Sequence, residues 1–155
     1  MTRRVLTDDI WLQLQETMQL YGCYRSKNSR NIMEAILWKL RTGVTWRDIP
    51  EDLCPWQTAY NRFNRWAIKG LWDKFFLAYE EHWIQNGYSL MEATSALISM
   101  QVELGTVKIE QRHLVENAFA RLKHFRSIAT RFDKLARNYK AMLRLACIFI
   151  WCKAK

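Results

Sequence analysis

Residues 35–76 read AILWKLRTGVTWRDIPEDLCPWQTAYNRFNRWAIKGLWDKFF and decide the fold. The stretch holds the end of one amphipathic segment, a glycine at position 43, a short turn between Thr45 and Pro50, and a longer helical pattern from Pro55. Gly43 is typical of a helix C-terminus, and proline fits the first turn of a helix, where its missing N–H costs nothing. The sequence therefore predicts a helix, a turn with a brief helix at Trp46–Ile49, and a second, longer helix.

The helix predicted from Pro55 to Lys69 has two opposite faces. At about 100° per residue, one face is apolar and mostly aromatic. Its members are Trp56, Ala59, Tyr60, Phe63 and Trp66. The opposite face carries a hydroxyl, an amide and three cations: Thr58, Asn61, Arg62, Arg65 and Lys69. This pattern is typical of the recognition helix of a helix-turn-helix module, which offers such groups to base edges and phosphates. A surface helix of a bundle with a basic exterior would show the same pattern.

Two further helices are predicted before this one. Thr7 precedes Asp8 and Asp9, a hydroxyl cap followed by acidic residues where the helix dipole favours them, and Gly22 ends that helix. Its apolar face is Ile10, Trp11, Leu14 and Met18. Ser29 is the predicted cap of the next helix, in which Ile32, Ile36 and Leu40 recur every four residues.

Charge is spread unevenly along the chain. The net charge of +9 over 155 residues favours a polyanionic partner, nucleic acid before a membrane surface. Residues 77–107 contain four Asp or Glu and no Lys or Arg, whereas residues 108–155 contain twelve Lys or Arg and three Asp or Glu. The middle segment is therefore a break in composition.

The cysteines form no metal-binding pattern. Cys23, Cys54, Cys147 and Cys152 include no C-x-x-C pair, and no histidine has zinc-site spacing to them. No secretory signal precedes them, so we expect reduced thiols in a cytoplasmic protein. The longest apolar run, residues 145–151, is too short to span a bilayer.

The C-terminal third predicts two helices. Arg112, Glu116 and Lys123 fall within roughly 40° of one another on a helix, a candidate metal or phosphate site or simply a solvated charged stripe. A turn is predicted near Ser127 and a second helix over residues 132–151. Its inward side chains would be Leu135, Tyr139, Met142, Leu143 and Ala146, with Lys134, Arg137, Lys140 and Arg144 in solvent, where they could contact phosphate.

Both ends of the chain resemble one protein family. Residues 112–145, which carry R-x3-E-x6-K, are similar to the C-terminal end of DDE-type bacterial insertion-sequence transposases of the insertion-sequence-five group. Residues 6–76, above all ILWKLRTGVTWRDIP and PWQTAYNRFNRW, resemble the N-terminal domain of the same group, which is taken to bind the DNA ends of the element. The resemblance is lost between Phe76 and Lys108.

The resemblance implies a role for Glu116 and raises a difficulty with it. In the family this glutamate is the last of three carboxylates that hold two Mg²⁺ ions in a ribonuclease-H-like domain, with Arg112 and Lys123 beside it. The family tyrosine would fall at position 109, which is Ile109 here, and no aspartate lies between residues 74 and 115. About 35 residues between the matched ends are too few for a sheet domain of several strands.

We therefore expect an all-α protein, transposase-related and DNA-binding, which lacks the central catalytic part and by itself cleaves no DNA and binds no metal. The predicted domains are a helix-turn-helix-like domain at 1–78, a divergent junction at 79–107, and C-terminal helices at 108–155 that remain from the ribonuclease-H-like domain. Expected partners are the element's inverted repeats, another copy or full-length transposase, and no membrane. Two alternatives stay open: a transposase completed in trans by another chain, and a helical protein-interaction module.

Overall fold

The computed structural model describes residues 4–23, 27–84, 120–130 and 135–153, and the side chains of 80–84, 151 and 153 are left aside. All regular structure in these ranges is helical, as predicted. Its elements are α1 (Asp8–Leu20), α2 (Ser29–Thr42), a 3-10 helix (Trp46–Asp48), α3 (Trp56–Ile68), α4 (Leu71–Ile84), α5 (Arg126–Thr130) and α6 (Ala136–Lys153). Residues 120–123 are also helical.

α1 begins and packs as predicted. The Thr7 hydroxyl caps it by accepting the N–H of Ile10 at 3.4 Å. Ile10, Leu14 and Met18 are buried, which places the predicted apolar face in the core. Ahead of the helix, the buried carboxylate of Glu34 on α2 accepts the N–H groups of Val5 and Leu6, so that the N-terminal segment is held against α2.

α2 is the central helix, because its apolar side chains are buried around most of its circumference. The fully or almost fully buried residues are Ile32, Met33, Ala35, Ile36, Leu37 and Leu40. Asn28, not Ser29, occupies the N-cap position, and Ser29 is the first helical residue and is buried. Gly43 ends the helix in the left-handed conformation at φ 72°, and its N–H donates to the carbonyl of Lys39 at 2.8 Å.

The C-terminal helices pack on the N-terminal helices. α5 packs on α2, and α6 packs on α4 and α3. The approach of α5 is close, since a Cβ placed on Gly43 would lie 2.8 Å from Cβ of Arg126. Inside the same contact, Nζ of the buried Lys39 donates to the Ser127 hydroxyl at 3.4 Å. The two family-like ends therefore share one hydrophobic core.

Several predictions for the C-terminal segment were wrong in detail. The turn predicted near Ser127 is present but lies at residues 124–125, and Ser127 itself is buried inside α5. Leu135, predicted to pack inward, is 51% exposed. Arg144, predicted to be solvated, has a side chain only 14% exposed and pairs with Asp73 of α4. α6 is described from Ala136, and residues 131–134 lie outside the described ranges.

α4 extends beyond the predicted end of the first domain at residue 78, because it continues to Ile84. Residues 85–119 lie outside the described part, so the junction predicted at 79–107 stays a prediction. Within the ranges that the structure describes, no helix is long and apolar enough to cross a membrane.

Candidate nucleic-acid interface

α3 presents the predicted polar face to solvent. Thr58, Asn61, Arg65 and Lys69 are exposed and Arg62 is half-buried. On the opposite side, Ala59, Phe63 and Trp66 are at most 3% exposed. The hydrophobic effect fixes this orientation, since turning the helix over would expose an aromatic side and bury three cations. We call Thr58, Asn61, Arg62, Arg65 and Lys69 the α3 polar face.

Aromatic contacts hold the back of α3 in place. The Trp46 ring on the 3-10 helix lies 5.3 Å from Phe63 and 5.5 Å from Tyr60, centroid to centroid. From α4, the Trp72 ring lies 5.5 Å from Phe63 and 5.4 Å from Trp66. Such tilted and edge-on pairs each add about 0.5–1.5 kcal/mol to area burial. The polar face therefore stands on a rigid support.

The charge on α3 is of one sign. The helix contains no Asp or Glu, and its three cations lie on its last turns, ending with Lys69 at the C-cap. Exposed carboxylates at Asp48, Glu51 and Asp52 precede the helix instead. A phosphate would therefore be attracted to the carboxyl-terminal half of the polar face rather than to the amino-terminal end.

One flank of the polar face borders the end of α1. The Arg62 guanidinium lies 5.8 Å from the centre of the Trp66 ring. Burial raises the pKa of the Cys23 thiol above its ordinary value, while the nearby charges of Arg62 and Lys69 oppose that rise. The charges of Arg62 and Lys69 therefore affect the Cys23 thiol, and the reactivity of this thiol should change when a ligand binds over the two cations.

The other flank borders α6. Nη2 of the exposed Arg137 donates to Oδ1 of Asn64 at 3.1 Å. Asn64 lies one turn from Asn61, about 60° around the helix. Arg137 was predicted to be a solvated cation of the tail, and it is exposed. Its contact with Asn64 was not predicted, because nothing in the local pattern shows that the first turn of α6 meets α3.

Of the three residues that the resemblance assigns to the family's carboxylate site, only Lys123 lies in the described part of the chain. Glu116 and Arg112 lie outside the described residues, whereas Lys123 is exposed at the end of the helical residues 120–123. Across the described ranges, no three His, Cys, Asp or Glu side chains gather into a group that could hold a metal ion. Two of their aspartates form ion pairs: Asp8 with Arg30 at 2.6 Å and Asp73 with Arg144. The predicted absence of a bound metal stays a prediction.

Comparisons with known proteins agree with the resemblance of the N-terminal part. Residues 6–76 match the family model described as "Putative transposase of IS4/5 family (DUF4096)". The chain is 28% identical over 83 residues to "Insertion element IS402 uncharacterized 16.2 kDa protein" of Burkholderia cepacia, covering 48% of this chain and 56% of that protein. It is 38% identical over 47 residues to "Uncharacterized protein y4sN" of Sinorhizobium fredii (strain NBRC 101917 / NGR234), covering 30% of this chain and 38% of that protein.

The matched region thus spans about half of the insertion-element protein's length (56%) and 38% of the other relative's length. No solved structure matches the chain. The family-model match falls on the N-terminal helices that carry the α3 polar face. In residues 6–76 the chain is thus similar to a transposase family, and this match and the insertion-element relative together support an insertion-sequence transposase-related protein.

Proposed function

We propose that the chain binds double-stranded DNA through the α3 polar face. The observation that carries the proposal is a helix with an exposed basic and amide face, no carboxylate of its own, and an aromatic back held by the 3-10 helix and α4. The family match supports the choice of DNA as the polyanion, because a transposase must recognise the ends of its element.

The face divides into two parts by chemistry. Arg62, Arg65 and Lys69 supply the charge, and we assign them to phosphates, the contacts that provide most of the affinity. Thr58 and Asn61 are uncharged donors and acceptors, and we assign them to base edges in the major groove, where the pattern of donors and acceptors is readable. In this proposal α3 acts as the recognition helix of a helix-turn-helix-like module.

The test is fluorescence anisotropy of a labelled duplex titrated with the chain at several salt concentrations. Binding through several phosphates should make log Kd rise linearly with log salt, with a slope of about 0.9 per phosphate neutralised. A duplex that carries the inverted repeats of the element should bind more tightly than one of random sequence. Absence of binding at low salt would instead favour a helical module that binds another protein.

We further propose that this chain neither cleaves nor joins DNA by itself and holds no Mg²⁺. A two-metal reaction needs several carboxylate oxygens on each ion, and no cluster of three His, Cys, Asp or Glu side chains gathers within the described ranges, where Asp8 and Asp73 are paired with arginines. Beside Glu116, the cations Arg112 and Lys123 would neutralise the carboxylate on a shared helical face. The chain would then occupy the bacterial nucleoid as a binding protein only.

Cleavage assays separate this proposal from its alternatives. With Mg²⁺ or Mn²⁺ and an inverted-repeat duplex, the purified chain should give no product, and Glu116→Ala should leave DNA affinity unchanged. Cleavage by the chain that Glu116→Ala abolishes would overturn the proposal. Cleavage that appears only after a full-length transposase is added, and that needs Glu116, would show an enzyme completed in trans.

A further inference from the structure

The first turn of α6 lies beside the α3 polar face, although 73 residues separate the two contacting side chains. Arg137 is exposed, and its one described hydrogen bond goes to the side-chain amide oxygen of Asn64. This contact places a guanidinium next to Asn61, on the flank opposite Arg62. A fourth cation thus borders the surface that the proposed function assigns to DNA.

The hydrogen-bond partner of Arg137 determines whether the charge of its guanidinium stays available to a ligand. An amide oxygen orients a guanidinium without cancelling its charge, whereas a carboxylate would neutralise it. α6 shows both cases, because Arg144 is paired with Asp73 and mostly buried, while Arg137 is held by an amide and exposed. A guanidinium has five N–H donors, and the bond to Asn64 uses one of them.

The rest of α6 adds to this charge and does not oppose it. The helix carries no Asp or Glu, and Lys140 lies one turn after Arg137 and is half-buried. α3 also has no acidic residue, so the contact between α3 and α6 brings together two helices that both carry net positive charge. Like charges placed side by side cost energy, and a shared polyanionic ligand would offset that cost.

We propose that Arg137, positioned by Asn64, contacts a backbone phosphate of the same duplex that α3 binds. The proposal rests on the proposed function and extends it: the DNA-binding surface is built from both ends of the chain. α6 then acts as part of the interface as well as a cover for the core. The ligand remains duplex DNA, and the contact is to the phosphate backbone, so it carries affinity rather than sequence preference.

The experiment compares Arg137→Ala with Arg137→Lys and with the control Arg126→Ala, by anisotropy with a labelled duplex of random sequence. Arg126 is a matched control because it is exposed, carries the same charge, and begins α5, which packs on α2. Loss of one phosphate contact should lower the salt slope by about 0.9 and weaken binding about fourfold at about 200 mM salt. Arg137→Lys should keep most of the slope, and Arg126→Ala should match the wild type.

The outcomes separate this proposal from the proposed function. An unchanged slope in Arg137→Ala, together with a reduced slope in an Arg62→Ala/Arg65→Ala variant, would overturn the role of Arg137 and leave the α3 proposal standing. Equal losses in Arg137→Ala and Arg126→Ala would also overturn it, since they would reflect net charge alone. A reduced slope in Arg137→Ala with no effect of the double variant would refute the shared surface and move the site to α6.

Discussion

Replacing both Arg62 and Arg65 by alanine should flatten the salt dependence of duplex binding. If each guanidinium neutralises one phosphate, the slope of log Kd against log salt should fall by about 1.8. Between about 50 and 200 mM salt, the wild-type Kd should therefore increase about 12-fold more than that of the variant. The variant should be weaker at both salt concentrations, and its deficit should shrink as salt rises.

Folding must be followed alongside binding, because Arg62 has a second role. Its guanidinium lies over the Trp66 ring, a contact worth about 0.5–1 kcal/mol at a partly exposed site. Thermal unfolding by circular dichroism should detect that loss without loss of the fold, whereas the exposed Arg65 should contribute little to stability. Parallel log–log lines for a folded variant and the wild type would refute the assignment of these two cations to phosphates.

Three other outcomes test the packing and the surroundings of the interface. Gly43→Ala should lower the free energy of unfolding, measured by urea titration, by about 1–3 kcal/mol more than Gly22→Ala does. Both glycines have positive φ, but of the two only Gly43 faces α5. Equal losses would disprove the close approach of α5. Asp73→Ala should lower the free energy of unfolding by about 1–3 kcal/mol, because it leaves Arg144 without its carboxylate. A variant as stable as the wild type would show that this ion pair does not hold α6 to α4. Alkylation of Cys23 by iodoacetamide should reach its half-maximal rate at a higher pH in the folded chain than in the chain unfolded in urea, because burial raises the pKa of the thiol. Bound duplex should slow the reaction, and no protection would place DNA away from that flank.

The parts of the fold that were predictable depend on residues near one another in sequence. The apolar stripe of α3 follows from a repeat within thirteen residues, and the structure buries Ala59, Phe63 and Trp66 as the repeat predicts. Thr7 and Gly43 likewise act on backbone groups within four residues of themselves. Local periodicity and capping were therefore sufficient to predict that the chain is helical and which face of α3 is polar.

The parts that were not predictable depend on contacts between distant residues. Arg144 meets Asp73 and Arg137 meets Asn64 only because α6 packs across α4 and α3. A helix contacted from two sides buries more than one stripe, so the pattern of α6 alone could not tell which cations remain in solvent. The N-cap of α2 shows a smaller effect: asparagine and serine cap about equally well, and burial of Ser29 as the first helical residue leaves the cap position to Asn28.

The most direct test of the central claim is an amide nuclear magnetic resonance titration of the labelled chain with duplex DNA at low salt. We predict that the largest shifts fall on residues 58–69, with a second group around residue 137, and that they reverse when salt is raised. α1, which carries no Lys or Arg, should change little except at its carboxyl end near Cys23. Shifts that leave residues 58–69 unaffected, or an unchanged spectrum, would contradict the account.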